Sequence, residues 1–293
     1  MKIGYPCINR SVDCRGNRTF RLKSYSQQRL KDTVSENLSC LDTMLKYNTE
    51  HDLLFFRITS DLVPFASHPV CDVDWQNSFK ADFEKIGSYI RKHDIRISMH
   101  PDQFTLINSP REDVLERSCR ELEYHSQVLD LMKLDLNAKI QIHVGGVYGD
   151  KPASIRRFAD RFHQLDPSVT RRLVIENDDR QYSLHDCLII NQQCSVPVLF
   201  DVFHHRLLNQ GESVNEAITA ATATWKKKDG ILMVDYSSQQ PGKRPGSHTE
   251  TIDKDDFVMF LQKTRGMDFD IMLEIKDKEK SAFKAVQIMS TLQ

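Results

Sequence analysis

The sequence predicts a closed (β/α)₈ barrel, and three observations carry that expectation. Short apolar runs rich in Ile, Val, Leu and Phe recur eight times, each followed by a longer stretch whose apolar residues return at helical spacing. At 293 residues the chain suits one such barrel, which takes about 250 residues before its loops are elaborated. Neither GxGxxG nor GxxxxGKS/T occurs, so the Gly-rich first crossover of an open nucleotide-binding sheet is missing.

The strand cores fall at Ile3–Tyr5, Leu53–Thr59, Ile95–Met99, Ile140–Val144, Leu173–Glu176, Val198–Val202, Ile231–Tyr236 and Ile271–Ile275. Between them, Phe79, Phe83, Ile86 and Ile90 share one helical face, as do Val114, Leu115, Leu122, Val128, Leu129 and Leu131. Ser183 and Ser213 stand where helix N-caps belong. Strict strand–helix alternation implies a parallel sheet. No shift of composition divides the chain, so residues 1–293 read as one domain.

Hydrophobic residues make up 40% and charged residues 28%, the balance of an ordinary globular protein rather than a disordered or fibrous one. Lys+Arg 40 against Asp+Glu 41 leaves a formal net charge of -1. A polyanionic partner would therefore need positive charge gathered on one face. The seven cysteines are scattered and lack a CxxC pair, which argues against a disulfide framework and against a thiolate zinc site. A reducing setting, the cytosol or nucleoid, is expected. No apolar run approaches the ~20 residues of a membrane span.

Two connections are long. Asn9–Tyr25 carries Arg10, Arg15, Arg18, Arg21 and Lys23 against one acidic residue, Asp13. Ser237–Thr251, with its Pro and Gly residues and with Lys243 and Arg244, reads as a mobile basic loop. Both follow strands, and βα loops open at the C-terminal face of a barrel. Each alone would be an ordinary solvated loop.

The strand ends carry the strongest signal. They present His100, His143, Glu176, Asp201 with His204, Asp235 and Glu274, and His248 lies in the loop after the seventh strand. A lone His or Glu at a strand end is usually a hydrogen-bonded structural residue. Consecutive strands aiming such groups at one mouth would repel one another unless cations neutralised them. Four carboxylates and four imidazoles exceed what one ion takes, so about two or three ions sharing bridging carboxylates fit better. Nitrogen and oxygen donors without sulfur suit Mn²⁺ or Zn²⁺, with Mg²⁺ less favoured. Such clusters typically hydrolyse phosphate esters, and a basic rim implies a large polyanion. His51, His93, His125, His163 and His185 fall in or beside expected helices and read as structural. Asp201 pairs better with His204 than with His205. His68, after the second strand, is on the working rim.

The ordered set GYPCIN (4–9), FRITSDLVPFASHP (56–69), SMHPDQF (98–104), IHVGG (142–146), IENDD (175–179), FDVFHH (200–205), DYSSQ with PGSH ending at His248, and MLEIKDKE (272–279) resembles the UV damage endonucleases of the UvdE type, barrels related to endonuclease IV. The resemblance covers essentially the whole chain. It implies an ATP-independent repair endonuclease that flips cyclobutane pyrimidine dimers and 6-4 photoproducts out of double-stranded DNA. Such an enzyme nicks immediately 5′ to the lesion, leaves 3′-hydroxyl and 5′-phosphate, and acts to some extent at abasic sites. It implies manganese, with His100, His143, Glu176, Asp201, His204, His248 and Glu274 as ligands, and places His68 near the scissile phosphate. Glu176, His68 and His143 become the candidate catalytic residues. Gln103 and Phe104 match a wedge that replaces the flipped bases in the stack, while Tyr5 and Asn9 match residues near the displaced nucleotides. Arg10, Arg15, Arg18, Lys243 and Arg244 are the candidate phosphate contacts.

Two departures stand out. Where the family pattern leads to Lys-x-His, this chain has Met233, Val234 and Asp235, losing a lysine that can be carboxylated and exchanging a neutral ligand for an anionic one. Phe104 replaces Tyr, keeping the stacking face. The rival readings are a metal-dependent sugar isomerase or epimerase on the same barrel, and a lesion-binding protein whose altered seventh strand has cost it catalysis. A monomer is expected, with separate repair enzymes downstream.

Overall fold

In the computed structural model, which describes residues 1–292, the strands close into a parallel barrel in sequence order. They are β1 Ile3–Pro6, β2 Phe55–Ile58, β3 Arg96–Met99, β4 Lys139–His143, β5 Leu173–Glu176, β6 Val198–Asp201, β7 Leu232–Tyr236 and β8 Phe269–Leu273. The β1–β8 seam is sealed by parallel pairing of Ile3 with Ile271. The expected (β/α)₈ architecture is therefore present. β5 coincides with its expected core, and the other strands differ from theirs by one or two residues at one or both ends, as where the charged first residues Arg96 and Lys139 stand at the strand starts and pair in the ladder.

Side chains alternate across each strand. One set packs outward under the helices, as Phe56 and Ile58, Ile140 and Ile142, Val198 and Phe200, and Phe269, Ile271 and Leu273 do in the main core. The other set fills the bore. Its lower layer is charged: Arg96 pairs with Asp270 at 2.9 Å and Lys139 with Asp229 at 2.5 Å, both cations lying over the Trp225 ring. Above it Phe55, Val174, Leu199, Met233 and Met272 form a separate, fully buried apolar plug. The top layer is polar and holds the site. Gly4 occupies the bore side of β1, where a Cβ would lie 1.5 Å from the Phe55 carbonyl oxygen, so only glycine lets β1 close on β2.

The helices obey the signals that predicted them. Ser183 and Ser213 cap the helices Leu184–Cys194 and Val214–Thr222, each in a reciprocal capping box, with Asp186 and Glu216 respectively. The Phe79 series lies along Lys80–Lys92 and the Val114 series along Glu112–Leu131. Among the described residues no helix is long and apolar enough to cross a membrane.

Two expectations fail. Cys14 and Cys40 form a disulfide with Cα atoms 5.7 Å apart, because the Asn9–Tyr25 loop folds back along the helix Gln27–Glu50. Cysteine spacing therefore gives no argument for a reducing compartment. The Ser237–Thr251 loop is also more braced than a mobile loop: Gln239 bridges to His248, its amide Nε2 donates to the carbonyls of Gln240 and Arg244, and its Oε1 accepts the Gly246 N–H.

Candidate functional site

Glu176, Asp201 and His143 end their strands, Asp235 is one residue from the end of β7, and His100 and Glu274 lie one residue past β3 and β8. All are thereby carried to one height at the mouth of the bore. Glu176 is the hub. Its Oε1 lies 2.9 Å from His143 Nε2 and 3.1 Å from His100 Nε2, while its Oε2 accepts from the Gln141 amide. Two groups bring their ligand atoms within 4.8 Å of one another, His100/His143/Glu176 and Glu176/Asp201/Asp235, and they share Glu176. His204 Nδ1 is 3.5 Å from Asp201, and His248 Nε2 is 3.9 Å from Glu274 Oε2. The His204 and His248 rings lie 6.3 Å apart, so all eight candidate ligands belong to one constellation.

The imidazoles are pre-oriented. His100, His204 and His248 each place Nδ1 on a backbone carbonyl, of Pro101 (2.7 Å), Asn177 (3.0 Å) and Glu274 (2.9 Å) respectively. That contact fixes the ring and leaves Nε2 as the nitrogen that can ligate an ion once the imidazole is neutral, the arrangement of metal-binding histidines. Asn177 also grips Asp201 from both sides, donating to its carbonyl and accepting its N–H, both at 2.9 Å. Asp201 itself caps the short helix Val202–Leu207, whose first turn presents His204.

Sequence reasoning missed Arg57, Gln141 and Asn177. Arg57 rises from β2 into the top layer, donating to Asp235 Oδ2 at 2.7 Å, to Gln141 Oε1 at 2.7 Å and to Glu274 Oε1. Gln141 donates to Asp235 Oδ2 at 2.6 Å. The signal was a single Arg inside FFRI and a single Gln inside KIQIH, bore-facing positions that only a settled register makes visible.

The electrostatics match a cation site. Burial favours neutral His143 and His204, yet Glu176 outweighs it at the first and raises that imidazole to about 9, while Asp201 and Glu176 raise the second to about 10. Burial would lift Glu176, but His143 and His100 hold it well below the usual carboxylate range. Against the same burial Arg57 brings Glu274 down to about 2. Asp201 is pushed by burial up to about 6, and Asp235 well above its ordinary value despite Arg57. Asp235 Oδ1 and His143 Nδ1 are buried without a hydrogen-bond partner. A nest of carboxylates set against imidazole Nε2 atoms fits divalent ions with mixed N/O donors.

The rim residues fall into two groups. Phe104 is 71% exposed, and Gln103 beside it is exposed as well. Phe104 and exposed His68 line a cleft of about 540 Å³ with Asp102, Arg117 and Arg120. Arg10, Arg15 and Arg18 line a second one of about 620 Å³, and Lys243 and Arg244 are exposed on their loop. Arg18 is partly satisfied by Glu36 at 3.1 Å. Tyr5 and Asn9 are buried. Tyr5 is on the helix-facing side of β1, 0% exposed, its hydroxyl donating to Asn48 at 2.6 Å and accepting from Asn9 at 2.8 Å. Asn9 Oδ1 takes the Ser11 N–H and so starts the loop. His205 is buried against the Glu212 carbonyl, apart from the cluster. Met233, where the family pattern leads to lysine, lies in the apolar plug beneath Asp235.

The family model for UV-endonuclease UvdE matches residues 1–293. The chain belongs to the UvdE family of UV endonucleases. A UV DNA damage endonuclease from Clostridium perfringens is 40% identical to this UvdE chain over 294 residues, covering 100% of it and 71% of the relative. The crystal structure of SacUVDE matches it with a TM-score of 0.96 at 43% identity, over 100% of this chain and 99% of that one. Endonuclease IV from Thermus thermophilus, at 14% identity and a TM-score of 0.58 over 86% and 94% of the two chains, shares the fold. Membership of the UvdE family makes the chain an endonuclease and removes the sugar-isomerase reading.

Proposed function

We propose that this endonuclease repairs double-stranded DNA by hydrolysing the phosphodiester immediately 5′ to cyclobutane pyrimidine dimers and 6-4 photoproducts, leaving 3′-hydroxyl and 5′-phosphate. The observation that supports this reading best is the placement of Phe104 and Gln103 on the same rim as the carboxylate–imidazole constellation and the basic loops. His100, His143, Glu176, Asp201, His204, Asp235, His248 and Glu274 would hold about two or three divalent ions, Mn²⁺ before Zn²⁺ or Mg²⁺. Bound there, the ions supply a nucleophilic water at neutral pH and positive charge for the phosphoryl oxygens.

The chain's own residues do the rest. Arg10, Arg15, Arg18, Lys243 and Arg244 grip phosphates and set the register of the duplex. A dimerised pyrimidine pair stacks poorly, so its extrusion costs less than that of intact bases, and the Phe104 ring with Gln103 fills the gap. Selectivity then comes from deformability rather than base reading. His68, on the wall shared with Phe104, meets the scissile phosphate. The barrel works as a monomer in the cytosol or on the nucleoid, handing the nick to other repair enzymes. Supercoiled plasmid, irradiated or not, incubated across a metal series tests the reading: nicking of irradiated DNA with Mn²⁺ is expected. Binding of irradiated plasmid without incision at any metal would leave only a lesion sensor and overturn hydrolysis.

A further inference from the structure

Each bore-facing carboxylate that Arg57 or Gln141 touches is held by one oxygen only. Arg57 and Gln141 both take Asp235 Oδ2, at 2.7 and 2.6 Å, and Oδ1 is left buried and unpartnered. Arg57 takes Glu274 Oε1, and Oε2 faces His248. Gln141 takes Glu176 Oε2, and Oε1 faces His100 and His143. Arg57 and Gln141 also bond each other at 2.7 Å, so the three carboxylates stand on one continuous polar floor. Below that floor lies the apolar plug.

We propose that Arg57 and Gln141 are positioning residues that select which oxygen of Asp235, Glu274 and Glu176 is offered to the ions. The assignment rests on the metal-ion reading of this site. A planar guanidinium suits the task because its fork reaches carboxylates on two adjacent strands, β7 and β8, and keeps its charge at any working pH. A lysine would supply the charge without the fork. The arrangement also explains how Asp235 can serve at a position where the family pattern leads to an imidazole: with Oδ2 occupied, it presents a single donor atom, as an imidazole does. Outer partners of this kind typically govern metal affinity by about 10–100-fold.

Mn²⁺ binding to the full chain, followed by electron paramagnetic resonance of free Mn²⁺ after chelator treatment, tests the assignment. Gln141→Leu, Arg57→Lys and the charge-balanced double variant Arg57→Gln/Asp235→Asn are compared with wild type. Removing Arg57 alone is avoided, since it would strand two buried carboxylates. Expected are Mn²⁺ affinities about 10–100-fold weaker in Gln141→Leu and Arg57→Lys, with incision restored by excess Mn²⁺. The double variant, which also removes the Asp235 ligand, should lose at least as much and sets the scale for the loss of a whole ligand. Thermal melts in chelator and in Mn²⁺ separate a structural role, because a positioning role shrinks the Mn²⁺-induced rise in melting temperature while a packing role lowers both melts equally. Unchanged Mn²⁺ affinity in folded variants overturns the assignment alone. A wild-type protein that takes up no divalent ion overturns it together with the metal reading.

Discussion

At the scale of single residues, Glu176 concentrates the chemistry. It is the one carboxylate common to both ligand groups, and its Oε1 faces two imidazoles. Glu176→Gln keeps the shape and removes the charge, and plasmid incision should fall by more than about 100-fold, beyond what loss of a supporting contact costs; near-normal nicking would remove Glu176 from the centre. The raised His143 and His204 values carry a pH signature. In the metal-free protein both imidazoles are protonated at neutral pH, and the stability they contribute is complete below about 6.5, then lost as pH climbs through about 9 and 10. An ion needs the neutral rings, so its uptake releases protons and its affinity should rise with pH across that window. Mn²⁺ titrations at about pH 6.5 and about pH 8.5, in buffers of different ionisation heat, read both effects. A pH-independent affinity would show that these rings are not ligands. The histidines and carboxylates that gather at the mouth were legible because strand ends are legible. Arg57 and Gln141 were not, since one polar residue in an apolar run does not say whether it faces the bore or the helices.

At the scale of elements, the loops after β1 and β3 carry the proposed DNA contacts. Phe104→Ala should lose most discrimination between irradiated and intact duplex, and Phe104→Tyr should retain it, as measured by competitive binding. Equal discrimination in all three proteins would make Phe104 a bystander. Arg15→Ser combined with Arg18→Ser should weaken binding and flatten its salt dependence. The single change at Arg15 should have the larger effect, because Arg18 already pairs with Glu36. The Cys14–Cys40 bridge spans 26 residues and pins the same loop to its helix. A loop of that size is worth about 3.5 kcal/mol, so Cys14→Ser/Cys40→Ser should melt lower and bind DNA more weakly. Helix positions were readable from caps and apolar spacing. The bridge was not, because two cysteines this far apart reveal nothing until the loop between them has a path.

At the scale of the whole molecule, one alternation rule sorts the chain twice. Outward residues make the core under the helices, and inward residues make a charged base, an apolar plug and a polar mouth. The eight-fold repeat announced the barrel, yet the layering depends on which residue of each pair turns inward, as with Gly4 on the bore side of β1 and Tyr5 on its helix side. Gly4→Ala tests the closure itself. Its Cβ would strike the β2 backbone, so the variant should fail to yield folded protein, and a wild-type melt would show that β1 can shift. The -1 net charge averages Arg10, Arg15 and Arg18 of the loop after β1 with the buried carboxylates Glu176, Asp201 and Asp235 at the mouth.

The plug has a further consequence for traffic. Phe55, Val174, Leu199, Met233 and Met272 seal the bore, and Arg96, Lys139 and Trp225 stopper its lower end. The reaction chamber is thus a one-ended vessel. Water, protons and ions therefore have only the upper opening, the face on which the proposed DNA contacts lie, by which to enter and leave.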